Sequence, residues 1–340
     1  MKDIRMKMED IGEFGFIRSI ENNCILSPAR IIKGIGDDCA VVGPYDGRLL
    51  LITTDMLVED IHFILGKIPP EHLGEKAVNV SLSDIAAMGG EALNVFVSLA
   101  IPKQIDVDII HTIYSGIKSV CRANNLNILG GDTSASPDRL IISITVIGEA
   151  AEGKVLLRSG ANPGDGLYLT GTIGDSAAGL KLIKAEATAP EPIASRLIEA
   201  HNRPVHFLDA GRIVGSSGLA SSMIDLSDGL LSDLAHICEQ SHVGARIFQA
   251  ALPVSRELIY MAESNRLDPY ELAMSGGEDY RLLISVPARN KAKFQEIFDE
   301  NAPCPVYCIG EITSGQGIEL IRADNTREQV RVTGFDHFKR

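Results

Sequence analysis

Nothing in this chain approaches 18 uninterrupted apolar residues, so no transmembrane helix is expected. The opening residues Met1 to Asp10 mix Lys, Arg, Asp and Glu without an apolar stretch, so no secretory leader is expected and a cytoplasmic location is the default. Positive charge is also scarce: the formal net charge is −13, whereas a nucleic-acid partner would want a basic face. The six cysteines (Cys24, Cys39, Cys121, Cys238, Cys304, Cys308) are scattered and read as thiols rather than as a disulfide framework. Cys304 and Cys308 stand close together, but no second Cys or His pair completes a zinc set. Several catalytic signatures are missing as well. There is no Gly-x-x-x-x-Gly-Lys-Ser/Thr phosphate loop, no Gly-x-Ser-x-Gly nucleophile elbow and no protein-kinase motif set.

What remains is a globular composition, 45% hydrophobic and 23% charged, in 340 residues, a length suited to about two domains. Strands are expected at 49–54, 93–100, 126–129 and 140–147, with helices over 71–88, after Pro69-Pro70, and 106–122. A turn-rich stretch at 161–166 follows, and from there helices are expected at 175–185, 190–201, 205–215, 228–241 and 288–300. The strands of this half fall at 167–170, 222–225, 245–248, 280–286, 305–310 and 317–322. Two α+β domains meeting near 150–160 is the economical reading.

One local pattern recurs: an Asp beside Gly, Ser or Thr at the end of an apolar element. It occurs at Gly36-Asp37-Asp38, Thr53-Thr54-Asp55, Ser83-Asp84, Gly130-Gly131-Asp132, Asp225 to Gly229, and Gly276-Gly277-Glu278-Asp279. Any single case is ordinary turn or cap chemistry. Together they suggest more, because two carboxylates about 4 Å apart repel by roughly 4 kcal/mol at an effective dielectric of 20. A fold that gathers several needs compensating cations, and hard oxygen donors select Mg²⁺ or Ca²⁺. Small neighbours would also let backbone N–H groups approach phosphates. Asp84 is the most pointed case, since it sits among Leu82, Ile85, Ala86, Ala87 and Met88. Either it caps a break in the helix or it faces a metal. Gly171-Thr-Ile-Gly174 could bind an anion at a helix N-terminus, but tight strand-to-helix packing explains it equally well.

From Gly12 to Phe338 the chain resembles the thiamine-monophosphate kinase family, within the superfamily of aminoimidazole ribonucleotide synthetase-like ATP-binding enzymes. The carriers are segments 34–41, 53–63, 79–89, 130–133, 157–165 and 170–180, with Ile-Asp-Leu-Ser-Asp-Gly-Leu (224–230), Ser-Gly-Gly-Glu-Asp-Tyr (275–280) and Gly-Phe-Asp-His-Phe (334–338). The resemblance implies a two-domain α+β fold of mixed sheets with helices packed on them. Residues 1–150 would form a metal- and ATP-binding, dimerising domain, and residues 151–340 would complete the nucleotide and substrate site. It implies Mg²⁺ ligands at Asp38, Thr53, Thr54, Asp55, Asp84, Asp132, Asp225 and Asp228. ATP contacts fall on Tyr114, Gly131, Asp132, Arg158 and Ser227, and acceptor contacts on His62, Glu278 and Phe335, a position where the family often carries Tyr or Trp. The implied reaction is direct transfer of the ATP γ-phosphoryl group to thiamine monophosphate, using several Mg²⁺ ions and no catalytic side chain, in a homodimer without nucleic-acid or membrane partners. The competing readings are aminoimidazole ribonucleotide or selenophosphate synthetase, and a non-catalytic divalent-cation or nucleotide-binding protein. Selenophosphate chemistry would need a reactive Cys near the first glycine-rich segment, and Cys24 has no basic neighbour to activate it.

Overall fold

A computed structural model describes residues 7–338. Helix α1 (Met8–Ile20) leads into a six-stranded sheet made of β1 (Ile31–Lys33), β2 (Ala40–Tyr45), β3 (Arg48–Val58), β4 (Glu91–Pro102), β5 (Asn127–Ser136) and β6 (Ile141–Ala151). Its strand order is β1-β2-β3-β6-β4-β5, antiparallel except for the parallel pair β4–β5. Helices α2 (Pro70–Ala87) and α3 (Val107–Ala123) come from the two long connections.

Period-two alternation decides which side of this sheet is the core. Leu49, Leu51 and Leu57 of β3, Val95, Val97 and Leu99 of β4, and Ile142, Ile144 and Val146 of β6 are buried in one cluster with Leu73, Ala77, Val80, Leu82 and Ile85 of α2. The intervening residues face the other way, and Met56 there is 55% exposed. Pro70 starts α2 at a position where its missing N–H costs nothing. Two glycines then let α3 cross α2 backbone to backbone. A Cβ on Gly74 would lie 1.9 Å from the Ile113 carbonyl oxygen, and one on Gly116 2.0 Å from that of Glu71.

The second half builds a seven-stranded mixed sheet. Its strands are β7 (Gly166–Thr170), β8 (Ser222–Asp225), β9 (Gly244–Phe248), β10 (Leu282–Val286), β11 (Val306–Thr313), β12 (Gly317–Ile321) and β13 (Arg327–Val330), in the order β13-β12-β9-β11-β7-β10-β8. The helices are α4 (Asp175–Ile183), α5 (Ile193–Asn202), α6 (Leu208–Ser217), α7 (Leu230–Ser241), α8 (Arg256–Ser264), α9 (Pro269–Ser275) and α10 (Lys291–Asn301). β7, β8 and β10 are buried at every position, as expected of strands covered on both faces. One side packs on Leu230, Leu234, Leu258 and Met261, the other on Phe207, Phe294 and Phe298 together with Ala86 and Ala87 from the end of α2. α2 is therefore held between the two sheets. No described helix is long and apolar enough to cross a membrane.

The expected elements are present, with ends that differ. β5 does not stop at Leu129 but runs through Gly130-Gly131-Asp132 to Ser136, because the parallel ladder to β4 continues to Pro102. Sequence reasoning passed over α1, β1, β2, α8, α9 and β13. α1 is interrupted at Gly12, β2 contains Gly43-Pro44, and the others are short or lie at a sheet edge. Residues 1–6 of the charged opening segment lie outside the described residues.

Candidate active site

The acidic motifs, remote in sequence, meet where α2 passes between the sheets. Oxygens of Asp38 (the loop before β2), Asp84 (α2) and Asp225 (the end of β8) all lie within 4.8 Å of one another. Asp84 is thus not capping a helix break: α2 continues to Ala87, and the carboxylate faces this cluster. Thr53 of β3 donates its hydroxyl to Asp84 Oδ2, and Ser83 donates to Asp225 Oδ2 at 2.6 Å. Asp55, two residues after Thr53, is on the same face of β3, and burial raises its carboxyl.

Burial also lifts Asp38, Asp84, Asp225 and Asp228 above the ordinary carboxylate range, and mutual repulsion among the acids adds to it. Arg158 opposes this, with Nη2 at 2.5 Å and Nε at 3.0 Å from Asp38 Oδ1. Lys33 lies 3.4 Å from Asp37. These cations leave Asp38 Oδ2 and Asp55 Oδ2 buried without a hydrogen-bond partner among the described residues. An all-oxygen donor set with orphaned carboxylate oxygens suits a hard divalent cation.

β8 runs into Leu226-Ser227-Asp228-Gly229 and then α7, whose first turn is closed by Asp233 accepting from the N–H groups of Asp228 (3.2 Å) and Gly229 (3.0 Å). The loop 276–280 lies against it. Glu278 N–H donates to the Ser227 carbonyl at 2.7 Å and Tyr280 N–H to that of Leu226 at 2.8 Å. Glu278 and Tyr280 are left-handed, with φ of 64° and 51°, a conformation that costs a non-glycine residue roughly 1–2 kcal/mol and that functional loops tolerate. Asp279 turns away to cap α4, accepting from Gly174 N–H at 2.7 Å. The Gly174 N–H that this segment could offer to an anion is thus already taken by Asp279.

Glu278 faces the first half. Its carboxylate meets Lys76 Nζ at 2.8 Å and His201 Nδ1 at 3.4 Å. Burial pushes the group up, but Lys76, His201 and His62 outweigh it and hold it below the ordinary glutamate range. His62 accepts from Val58 N–H through Nδ1 at 3.0 Å, and burial lowers it to about 4, so its ring is neutral near pH 7. The His62 ring centre is 5.0 Å from that of His337, which is 4.8 Å from that of Phe335. Phe335 is 47% exposed, and its N–H donates to the Asp228 carbonyl at 3.1 Å. A cavity of about 90 Å³ opens between the loop 60–68 and helices α4 and α5, lined by His62, Phe63, Ile68, Leu180, Ile183 and His201 among others.

The structure thus brings Asp38, Thr53, Asp55, Asp84, Asp225, Asp228 and Arg158 into one cluster, and His62, Glu278 and Phe335 into a second group joined to the first through the backbone of Ser227 and Asp228. It does not bring Thr54, Tyr114, Gly131 and Asp132 to that buried cluster within one chain. Alternation turns Thr54 to the opposite face of β3 from Thr53, where Thr145 donates to it. Asp132 is exposed on the edge strand β5, in register with Ser98, Ser143 and Met56. Three strand spacings, roughly 14 Å, separate it from β3. Tyr114 is half-buried on α3 against the first core. Sequence reasoning missed Lys76, His201 and Asp233, and named Ser83 only as the neighbour of Asp84. Lys76 follows Glu75 in a helical stretch of mixed polarity, so it, like His201, is visible only through contacts across the fold.

Two models describe most of the chain: AIR synthase related protein, N-terminal domain, over residues 36–150, and AIR synthase related protein, C-terminal domain, over residues 162–323. Among curated relatives, the thiamine-monophosphate kinase of Haemophilus influenzae is 37% identical over 333 residues, spanning 97% of this chain and 98% of that one. The Escherichia coli thiamine-monophosphate kinase is 37% identical over 332 residues, spanning 96% and 98%. A solved structure of AaThiL complexed with AMPPCP and TMP superposes with a TM-score of 0.84 at 33% identity, covering 98% of this chain and 99% of that one.

Proposed function

The chain belongs to the AIR synthase related family and, within it, to the thiamine-monophosphate kinases, and we propose that it moves the γ-phosphoryl group of ATP directly onto the phosphate of thiamine monophosphate. The bond formed joins an acceptor phosphate oxygen to the γ-phosphorus, and the bond broken releases ADP. The observation that supports this reading is a buried acidic cluster joined through the 226–229 and 276–280 backbone to the His62–Glu278–Phe335 group, in a member of that family. A divalent cation, which we take to be Mg²⁺, would supply charge neutralisation where two anions must meet.

Asp38, Asp84 and Asp225 would hold that cation, with Asp55 and Asp228 beside them and Thr53 and Ser83 fixing two of the carboxylates. Arg158 and Ser227 would meet ATP. The acceptor phosphate is already ionised near neutral pH, so no side chain need remove a proton. His62, uncharged near pH 7, then positions the acceptor rather than shuttling protons. An ADP-release assay with each acceptor in turn tests this reading. Release should require thiamine monophosphate, and release that is indifferent to it would point to another member of the superfamily.

Phe335 is proposed to stack on the thiamine end. Its exposure and its backbone tether to Asp228 favour that role over core packing. A stacked ring contact is worth about 0.5–1.5 kcal/mol beyond its buried area, so Phe335→Ala should raise the acceptor KM by roughly tenfold. The ATP KM and the melting temperature should barely change. A raised ATP KM with an unchanged acceptor KM would place the acceptor at the wrong end.

Residues 1–150 are proposed as the metal, ATP and dimerisation domain and residues 151–340 as its complement. A homodimer is supported by β5, an edge strand exposed along most of its length with Leu129 57% in solvent, and by the open outer face of the first sheet. Thr54 and Asp132 both lie on that face, so a partner sheet laid across it would enclose them together with Gly131. Sedimentation should therefore show a species of twice 36.6 kDa, and monomer alone across micromolar concentrations would refute the pairing. Dependence on ATP supports a cytoplasmic location.

A further inference from the structure

Lys76 is buried completely, unusual for a lysine, and neither the metal cluster nor the ATP contacts explain it. It projects from α2 and reaches across to the second half of the chain. Nζ meets Glu278 Oε1 at 2.8 Å and donates to the His62 carbonyl oxygen at 3.2 Å. His201, itself beside Ser176 Oγ at 3.1 Å, lies 3.4 Å from the other Glu278 oxygen. The Glu278 side chain nevertheless keeps 22% of its surface exposed, so it is reachable from the cleft while one oxygen is sealed against Lys76.

We infer that Lys76 is a positioning residue for the acceptor: it locks the Glu278 carboxylate and the His62 loop into one geometry and so sets where the cationic, amino-bearing thiamine end is recognised. The inference rests on the reading of Glu278 as an acceptor contact and deepens it. Two features support it. Lys76 stands eight residues before Asp84, a distance of roughly 12 Å along the axis and about 80° around it. The same helix thus anchors the recognition carboxylate at one point and the metal cluster at the other, so it fixes how far the acceptor's organic end can sit from the transferred phosphoryl group. Glu278 is also held in a left-handed backbone conformation, so its side-chain direction is set from both the backbone and the tip.

The test compares Lys76→Met, Glu278→Gln and the double variant, measuring the KM for thiamine monophosphate, the KM for ATP, kcat and the melting temperature of the full-length enzyme. Lys76→Met should raise the acceptor KM by about tenfold or more, since it removes the ion-pair partner of a recognition group and the donor to the His62 carbonyl. The ATP KM should stay within about twofold, because ATP meets other groups. Coupled residues give non-additive effects, so the double variant should bind the acceptor no worse than Glu278→Gln alone while melting above either single variant. If Lys76→Met folds poorly, Lys76→Gln, which keeps a neutral donor of similar length, takes its place in the cycle and is read by the same outcomes. A raised acceptor KM in Glu278→Gln with an unchanged one in Lys76→Met overturns the role of Lys76 and leaves the acceptor reading standing. An unchanged acceptor KM in Glu278→Gln overturns that reading and the inference with it. Effects that simply add in the double variant also overturn the inference, since the two residues would then act separately.

Discussion

Asp84→Asn should lower turnover by roughly a thousandfold or more at saturating Mg²⁺, as expected when a central charge-holding group is removed from a phosphoryl-transfer site. The fold should survive and the metal-free protein should become harder to melt. Both outcomes follow from the same geometry. Asp84, Asp38 and Asp225 hold oxygens within 4.8 Å of one another in a buried site. Each ionised pair at that distance repels by roughly 3.5 kcal/mol at an effective dielectric of 20. An amide removes one charge yet keeps an oxygen for the Thr53 hydroxyl. The metal-free chain should gain several degrees, taking about 2–4 °C per kcal/mol for a domain of this size. The stabilisation that Mg²⁺ gives the wild-type protein should shrink in the variant. Kinetics with a Mg²⁺ titration and melting curves with and without the ion check all three. Chelation offers a companion result, abolishing wild-type activity until Mg²⁺ is restored. Near wild-type turnover in Asp84→Asn would remove the cluster from the mechanism.

Gly131→Ala should be the most damaging single methyl in the first half. At Gly131 the backbone φ is +147°, and an added Cβ would lie 1.7 Å from the Val97 carbonyl oxygen, 2.4 Å from its carbon and 2.8 Å from its nitrogen. All three atoms are backbone, so no rotamer change relieves the clash, and β5 must lift away from β4. Because β5 is an exposed edge strand, the rest of the chain should stay folded. The expected signature is loss of dimer in sedimentation, with the ATP KM raised by roughly a hundredfold as Gly131 and Asp132 leave their places (~2.7 kcal/mol). A dimer with ordinary ATP affinity would show that this strand serves neither purpose.

Much of this site was legible because its chemistry is concentrated at element ends, where Asp beside Gly or Ser stands out from the apolar periodicity. The motifs at 36–38, 83–84 and 225–228 could be read without knowing that they meet. The division of Thr53 and Thr54 between opposite faces of β3 was also implicit in strand alternation, yet it matters only once the sheet is known to have one covered and one open side. Lys76 was harder. Beside Glu75 it reads as an ordinary surface lysine of a mixed helix, and its partner lies 202 residues away, from position 76 to position 278. The short elements β1 and β13 were illegible for another reason: too few residues alternate for a period to appear, and pairing with a neighbouring strand is what makes them extended.

Three chain segments remote in sequence, 226–229, 276–280 and 334–335, are stitched together through main-chain N–H and carbonyl groups, Glu278 to Ser227, Tyr280 to Leu226, and Phe335 to Asp228, with one side-chain bond, Ser275 to Thr333, at their edge. Such stitches are blind to side-chain identity. Substitutions at 335 can therefore exchange one ring for another without relocating the backbone that carries it, while the acids of 225 and 228 stay in alignment.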